Sequence, residues 1–188
     1  MATQQHPMVN GVDVDRLSET IETLRSQPDL ARFQFRAHHR WLDGPHACTR
    51  IDDFSGAGRE DVHTRTFLVE SSEPHVLLGN DEAPSATEAV LHALSSCLSA
   101  TFVYHAAAKG IEIDELEVDM EGDLDVRGFL GLSDEVRNGF EQIRATFHVK
   151  SDASDAQLRE LVELAQRRSP VFDVVTHPVP VSVELERR

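Results

Sequence analysis

Cys97 is the residue of this chain whose type and position are best suited to chemistry. It lies in the middle of an apolar stretch, residues 84–110, where a thiolate could act as a nucleophile. A free cysteine is also often a small buried apolar residue without chemistry, so both interpretations stay open. Because burial in apolar surroundings raises the pKa of a thiol, a reactive thiolate here would need a cation from another segment.

Four arginines on predicted strands could supply that cation: Arg36, Arg40, Arg50 and Arg65. Each could equally be a strand charge in contact with solvent. Glu88, nine residues before Cys97, could hold such an arginine in place for the thiolate. Its position three residues after Ser85 also fits a capping box at the start of a helix, and the two roles are compatible.

The histidines near Cys97 and the second cysteine, Cys48, are weaker candidates for chemistry than Cys97 itself. His92 lies five residues before Cys97 and His105 eight residues after it, whereas a metal-binding pair on a helix is typically about four residues apart. We therefore predict neither a metal nor another cofactor. Cys48 is interpreted as structural, or as a disulfide partner for Cys97 if its strand crosses the helix at mid-length.

Residues 84–110 predict one long helix. Between Glu88 and Lys109 there is neither Gly nor Pro, and Ser85 and Gly110 provide a start and a stop signal. The apolar residues surround most of the helix, which is typical of a helix in a large core or in a membrane. Five polar or charged side chains argue against a membrane span: Glu88, His92, Tyr104, His105 and Lys109.

The rest of the chain alternates between strand and helix patterns. Before the long helix we predict an amphipathic helix over residues 12–27 and strands over 33–42, 46–54 and 62–70, joined by turns at 43–45 and 55–58. After it we predict strands over 111–126 and 140–149, a helix over 154–168 ended by Pro170, and a last strand carrying Val179, Val181, Val183 and Leu185. This order predicts an α+β fold with mostly antiparallel pairing. We divide the chain into an N-terminal helical arm, residues 1–30, and a domain over residues 31–188.

A helix that is apolar on nearly all sides needs cover on every side, and one sheet covers one side only. A symmetric dimer that pairs two such helices between two sheets would provide the missing cover. We therefore predict a homodimer.

Length and composition limit the class of protein further. With 188 residues, 40% of them apolar, the chain can form one domain with a real core. Its formal net charge of −15 disfavours nucleic acid and anionic membranes as partners. The N-terminal sequence has neither the basic nor the apolar segment of a signal peptide. Two cysteines favour free thiols, so we predict a cytoplasmic location.

Several motifs, taken in order, make the chain similar to the OsmC/Ohr family. They are residues 80–84, Glu88 to Leu98 around Cys97, residues 104–111 and 122–128, the Ser169-Pro170-Val171 turn and the Pro180-Val181 strand. The resemblance covers about residues 32–186. It implies an intertwined homodimer in which two long central helices are held between two sheets. It also implies a peroxiredoxin-like thiol peroxidase that reduces organic hydroperoxides or hydrogen peroxide.

In this family a cysteine on the central helix attacks the peroxide, and an arginine and a glutamate lower its pKa. The resemblance implies the first role for Cys97. The family's glutamate directly follows a proline ten residues before the cysteine; Thr87 occupies that place here, and Glu88 is the nearest carboxylate. The family's arginine lies on an early strand, where Arg50 or Arg65 matches it, with Arg50 slightly preferred.

The family's second cysteine resolves the sulfenic acid as a disulfide from a Cys-Pro turn, and Ser169 replaces it here. Three interpretations remain. Cys97 could be oxidised to sulfenic acid and reduced by an external thiol, in a one-cysteine peroxidase or peroxide sensor. Cys48 could act as an unconventional resolving thiol. The protein could also be a non-enzymatic member that binds an apolar ligand or a partner at the dimer interface. We prefer the first.

Overall fold

In the computed structural model, which describes residues 7–187, strands and helices alternate in an α+β fold. The first half of the chain contains β1 (Met8–Val9), β2 (Val12–Asp13), α1 (Val14–Ser26), β3 (Gln34–Phe35), β4 (His38–Asp43), β5 (His46–Gly56) and β6 (Arg59–Ser71). The second half contains α2 (Ala86–Ala108), β7 (Glu115–Asp123), α3 (Val126–Phe129), β8 (Gln142–Lys150), α4 (Asp155–Arg168) and α5 (Pro170–Thr176). The pairs formed by β3 to β8 are all antiparallel, so the predicted fold class is confirmed.

The described chain forms two compact units. The first consists of residues 7–8 and Asp13–Val90, and the second of Val9–Val12 and residues 91–187. Helix α2 begins in the first unit and ends in the second. The division into an arm over residues 1–30 and a domain over residues 31–188 stays a prediction, and residues 1–6 of that arm lie outside the described residues.

A four-stranded antiparallel sheet makes up most of the first unit, with β5 at its centre. β6 pairs along one edge of β5, while β3 and β4 pair in succession along the other. The single strand predicted over residues 33–42 is therefore wrong. The register on β5 shifts between β3 and β4 and leaves Arg36 and Ala37 outside the ladder. The large apolar side chains of residues 33–42 are exposed in the single chain, Phe35 and Trp41 most of all.

The two predicted turns are confirmed, and β6 adds an irregularity that the sequence pattern does not indicate. Ala57 and Gly58 join β5 to β6 with φ angles of +50° and +75°, as a two-residue type I′ turn requires. Further along the hairpin, the residues of β5 on either side of Asp52 pair with Val62 and Phe67. Residues 63–66 of β6 therefore bulge opposite one residue of β5, and a bulge of this kind re-aims the side chains that it carries.

Helix α2 begins and ends as the sequence predicts. The Ser85 hydroxyl accepts a hydrogen bond from the Glu88 backbone N–H (3.2 Å), and the Glu88 carboxylate accepts one from the Ser85 N–H (2.7 Å). This is the predicted capping box. At the other end Gly110 has a φ of +67°, and the N–H groups of Gly110 and Ile111 donate to carbonyls of the last turn at 3.0 and 2.9 Å. These bonds satisfy the carbonyls that end a helix.

The core of the second unit forms between α2, α4 and the β7–β8 hairpin. Four of the five buried apolar residues of α2 recur at every fourth position: Leu94, Leu98, Phe102 and Ala106. Leu161 and Ala165 of α4 pack with them, and α4 confirms the helix predicted over residues 154–168. The Phe102 ring lies 5.6 Å from the ring of Phe147 on β8.

A short N-terminal hairpin fixes the segment that follows α2. Asn10 and Gly11 form its turn with φ angles of +52° and +76°, an Asn-Gly signal that the sequence prediction overlooked. The Asn10 side chain donates to the Ile111 carbonyl (2.8 Å) and accepts from the Ile113 N–H (2.9 Å). These side-chain bonds take the place of strand pairing, and β7 begins at Glu115 rather than at residue 111 as predicted.

The chain beyond α4 differs most from the prediction. Pro170 ends α4 but also begins α5, where its missing N–H is not needed, and neither α5 nor the single turn α3 was predicted. The last predicted strand is wrong for all four of its alternating apolar residues: Val179, Val181, Val183 and Leu185. Residues 178–187 pair with no strand of the described chain, so these side chains have no sheet to pack on, and Val183 is 90% exposed.

Candidate active site

Cys97 lies on α2 in the second unit, beside the buried residues Leu94 and Leu98. The residue is half-buried and its thiol is free. Its carbonyl accepts a hydrogen bond from the Thr101 hydroxyl at 2.7 Å, one turn further along the helix. Within residues 7–187 the sulfur itself makes no hydrogen bond. Cys97 is thus a free thiol at the edge of an apolar core.

Glu88 uses its carboxylate at the start of the same helix. One oxygen accepts hydrogen bonds from the Ser85 N–H (2.7 Å) and from the Ser85 hydroxyl (2.8 Å). The backbone N–H, and then the hydroxyl, lower the pKa of Glu88 by stabilising its charged form. The predicted capping role is present in the structure, and the predicted catalytic role of Glu88 stays a prediction.

Arg50 and Arg65 lie on neighbouring strands of the first unit. Arg50 on β5 forms an ion pair with Asp52 at 3.0 Å. Arg65 lies in the bulge of β6, and its guanidinium carbon is 5.2 Å from the centre of the Phe67 ring, a cation–π contact. Because Cys97 belongs to the second unit, the predicted role of either arginine beside the thiol stays a prediction.

Ser169, where the sequence resemblance implies a resolving cysteine, lies between α4 and α5. Its side chain is 2% exposed, and its hydroxyl oxygen accepts a hydrogen bond from the Phe172 N–H at 3.1 Å. Its own N–H donates to the Ala165 carbonyl at 2.9 Å. The residue therefore ends one helix and caps the next, and a hydroxyl at this place cannot form a disulfide with a sulfenic acid.

The surroundings of the second cysteine were not predicted. Cys48 on β5 is half-buried and free, opposite Arg40 on β4 and Glu70 on β6. Two residues before it, the ring of His46 lies between the carboxylates of Glu70 (3.4 Å) and Glu82 (3.3 Å). Both glutamates are far from His46 in the sequence, so no local pattern indicates this contact.

His105 on α2 is half-buried, and its surroundings change its pKa. Burial lowers its pKa, and the positive charges of Arg168 and Lys109 lower it further. The imidazole is therefore mainly neutral near pH 7. Across residues 7–187, no group of three or more His, Cys, Asp and Glu side chains has an arrangement that could hold a metal ion.

Helix α2 is the one helix of the described chain that is long and apolar enough to cross a membrane, judged by length and composition alone. The core helix of a soluble protein passes the same test. Four residues of α2 belong to the core cluster of the second unit, so the finding is weak support for a membrane span.

Solved structures share this fold. An OsmC-like protein from Mycoplasma pneumoniae matches with a TM-score of 0.59 at 14% identity, over 77% of this chain and 89% of the other. An OsmC-like protein from Vibrio cholerae matches with a TM-score of 0.52 at 17% identity, over 74% and 92%. An organic hydroperoxide resistance protein OsmC from Legionella pneumophila matches with a TM-score of 0.52 at 12% identity, over 76% and 90%.

A search among curated proteins found no match to the chain. The family described as OsmC-like protein matches residues 79–184, which is more than half of the chain and includes Cys97 and Ser169. The sequence motifs, the antiparallel fold and this match agree, and the chain belongs to the OsmC-like protein family.

Proposed function

We propose that this chain is a thiol-dependent peroxidase that reduces organic hydroperoxides or hydrogen peroxide through Cys97. The proposal depends above all on one observation, the free, half-buried thiol at the middle of the long helix of an OsmC-like chain. The Legionella protein of the same fold is named for organic hydroperoxide resistance, which supports this class of substrate.

The reaction begins when the Cys97 thiolate attacks the terminal oxygen of the hydroperoxide. The S–O bond forms as the O–O bond breaks, and the leaving oxygen takes up a proton and departs as an alcohol, or as water from hydrogen peroxide. The sulfur is oxidised to sulfenic acid while the peroxide is reduced. An external thiol then condenses with the sulfenic acid to a mixed disulfide and releases water. A second external thiol attacks that disulfide, regenerates Cys97 and departs as the external disulfide.

We infer a one-cysteine cycle because Ser169 stands where the family carries its resolving thiol, and its buried hydroxyl serves to cap α5. The alternative is that Cys48 resolves the sulfenic acid. That route requires a Cys48–Cys97 disulfide after peroxide treatment, which mass spectrometry under non-reducing conditions would detect. Its absence would leave the external thiol as the reductant.

A thiolate at the edge of an apolar core needs a positive partner, and Arg50 is our first candidate, with Arg65 second. Glu88, which caps α2, is the candidate carboxylate that would hold this arginine. Measuring Arg50→Gln and Arg65→Gln separately identifies the activating residue, because its loss slows the step with peroxide. The other variant keeps the rate of the wild type.

We further propose that the protein acts as a homodimer in the cytoplasm, with residues 1–30 as an arm. The apolar residues of α2 surround the helix, whereas a single chain buries chiefly one stripe of it, and Val90 and Tyr104 remain 39% and 54% exposed. A second copy would cover this surface. The net charge of −15 disfavours nucleic acid and anionic membranes as partners.

The test is the consumption of cumene hydroperoxide and of hydrogen peroxide with dithiothreitol as the reductant. We expect Cys97→Ser to fall to the background rate and the matched control Cys48→Ser to keep the rate of the wild type. Equal rates for the wild type and Cys97→Ser would refute the enzyme proposal. A rate lost in Cys48→Ser, together with a Cys48–Cys97 disulfide, would instead select the resolving role for Cys48.

A second candidate function is the binding of an apolar ligand or partner at the dimer interface without catalysis. It is favoured by the Cys97 sulfur, which has no hydrogen-bond partner within the described residues. Trapping with dimedone separates the two functions, because dimedone reacts with sulfenic acid and not with a thiol. Labelling of Cys97 after peroxide supports the peroxidase, and an unlabelled Cys97 supports the binding protein.

A further inference from the structure

His46, the first residue of β5, contacts the loop that leads into α2. This entry loop, residues 72–85, follows β6 and ends at Ser85, the N-cap of α2. The side chain of His46 is 23% exposed, and both of its ring nitrogens contact a carboxylate. Nε2 lies 3.4 Å from Glu70 on β6, and Nδ1 lies 3.3 Å from Glu82 in the entry loop. One ring thus links the sheet to the loop.

The entry loop is held together by its own backbone. The Ser72 N–H donates to the Pro84 carbonyl at 3.2 Å, which brings the two ends of the loop together. Inside the loop, the Asp81 N–H donates to the Glu73 carbonyl at 3.1 Å. Because the loop is fixed internally, a contact that anchors Glu82 also fixes the N-cap of α2, three residues further along the chain.

The two contacts of the ring require a proton on each of its nitrogens. An ionised carboxylate only accepts hydrogen bonds, and a neutral imidazole has one N–H donor and one acceptor nitrogen. The neutral ring of His46 can therefore donate to Glu70 or to Glu82, while its other nitrogen presents a lone pair to the remaining carboxylate. The doubly protonated ring donates to both, and its charge attracts both. Asp43 of β4, which is opposite His46 in the strand register, adds further negative charge.

We propose that His46 is a positioning residue, which in its doubly protonated form joins β6 to the entry loop and so holds the first turn of α2 in place. In that turn Ser85 and Glu88 exchange their capping bonds of 3.2 and 2.7 Å, and Glu88 is the candidate carboxylate of the thiol site. Histidine changes its charge between about pH 5 and 8, so both contacts form at the lower end of this range and one is lost as the pH rises. The effect on Cys97 rests on the proposed peroxidase function, whereas the effect on the helix does not.

The structural test is hydrogen exchange at pH 6.0 and pH 8.0. It follows the amides of Glu88 and Ala89, which donate to Ser85 in the first turn of α2. In the wild type, protection relative to the intrinsic exchange rate at each pH should be about fivefold lower at pH 8.0, the effect of losing one partly exposed ion pair. His46→Gln should show the lower protection at both pH values, because its uncharged amide has a single donor nitrogen.

Glu82→Gln separates the charge from the hydrogen bonds. The neutral ring of His46 can donate to Glu70 and accept from the new amide, so both contacts form without a second proton. This variant should keep its protection at pH 8.0 and lose the dependence on pH. The matched control is His148→Gln, which removes the histidine of another partly exposed pair, 3.0 Å from Asp119 on the β7–β8 hairpin. It should behave as the wild type does.

The functional test is the second-order rate constant of Cys97 with cumene hydroperoxide. We expect the ratio of the wild type to His46→Gln to exceed one at pH 6.0 and to approach one at pH 8.0. A ratio of one at both pH values would overturn the positioning role. Equal protection of the wild type at the two pH values, or an unchanged pH dependence in His46→Gln, would overturn the proposal as a whole. If Cys97→Ser consumes peroxide as fast as the wild type, the peroxidase function fails, and the exchange of the α2 amides still decides the role of His46.

Discussion

Replacing Asn10 tests whether the N-terminal hairpin holds the segment that follows the long helix. Its side-chain amide makes two partly buried hydrogen bonds, donating to the Ile111 carbonyl at 2.8 Å and accepting from the Ile113 N–H at 2.9 Å. These partners lie 101 and 103 residues away in the sequence, so the contact joins distant parts of the chain. Removing the amide leaves one backbone acceptor and one backbone donor without their partner.

The expected loss follows from those two bonds. Each neutral hydrogen bond contributes about 1 kcal/mol, so Asn10→Gly should lower the free energy of unfolding by about 2 kcal/mol. Glycine is the suitable replacement because Asn10 has a φ of +52°, which glycine adopts without strain. Asn10→Ala should lose roughly 1 kcal/mol more, since alanine is strained in this conformation. For a chain of this length, a loss of about 2 kcal/mol lowers Tm by about 4–8 °C.

Urea unfolding at pH 7, followed by far-UV circular dichroism, measures the free energy of unfolding and its dependence on denaturant. Asn10→Asp serves as a graded control, because it keeps an acceptor for the Ile113 N–H and loses the donor to the Ile111 carbonyl. We expect stability to decrease in the order wild type, Asn10→Asp, Asn10→Gly, Asn10→Ala. If the free energy of unfolding of Asn10→Gly lies within about 0.5 kcal/mol of the wild-type value, the range of ordinary surface substitutions, the two Asn10 hydrogen bonds do not hold this segment.

Three further substitutions test the core, the cap of α2 and the half-buried His105. Phe102→Ala removes a fully buried ring and should cost about 3–5 kcal/mol in urea unfolding, whereas the exposed Phe129→Ala should change stability by less than about 0.5 kcal/mol; similar losses would contradict the described core. Ser85→Ala removes the hydroxyl that caps α2 and should cost about 1 kcal/mol, while Ser85→Thr keeps most of the stability. Burial lowers the pKa of His105, so the unfolded chain takes up its proton before the folded chain does, and stability should fall as the pH drops from 7.5 to 5.5. His105→Gln should lose less over that range, and parallel losses in the two proteins would contradict this origin.

The elements that the sequence predicts well are those whose signals are local. Both ends of α2 depend on residues within a turn of the helix, Ser85 with Glu88 at the start and Gly110 at the end, and both were predicted. The Asn10-Gly11 turn has an equally local signal, but it was not predicted, and neither was the hairpin that contacts Ile111. For Pro170 the sequence analysis predicts only the end of a helix, although proline also favours the first position of a helix.

The elements that were predicted wrongly or not at all depend on partners that are distant in the sequence. The alternating residues from Val179 to Leu185 fit a strand, yet a strand needs a neighbour, and residues 178–187 have none within the described chain. The bulge of β6 depends on its register with β5, which no pattern within β6 encodes. The candidate site shows the same division. The local cap formed by Glu88 was predicted, while the contacts of the His46 ring with Glu70 and Glu82, both far from it in the sequence, were not.

The surface of α2 gives the sharpest test of the predicted homodimer. The helix is apolar on nearly every side, and in the single chain its core contacts follow the stripe from Leu94 to Ala106, which leaves Ala100 exposed on another side. If a second copy covers that side, sedimentation velocity should give about twice the 21.0 kDa mass of the chain. A charge introduced there would be buried without a partner, so Ala100→Glu should shift the protein to the mass of one chain. Gln166→Glu, an equal charge on the exposed side of α4, should leave the mass unchanged. A wild type that sediments as a single chain would refute the dimer. The exposed apolar residues of α2 would then need a different explanation.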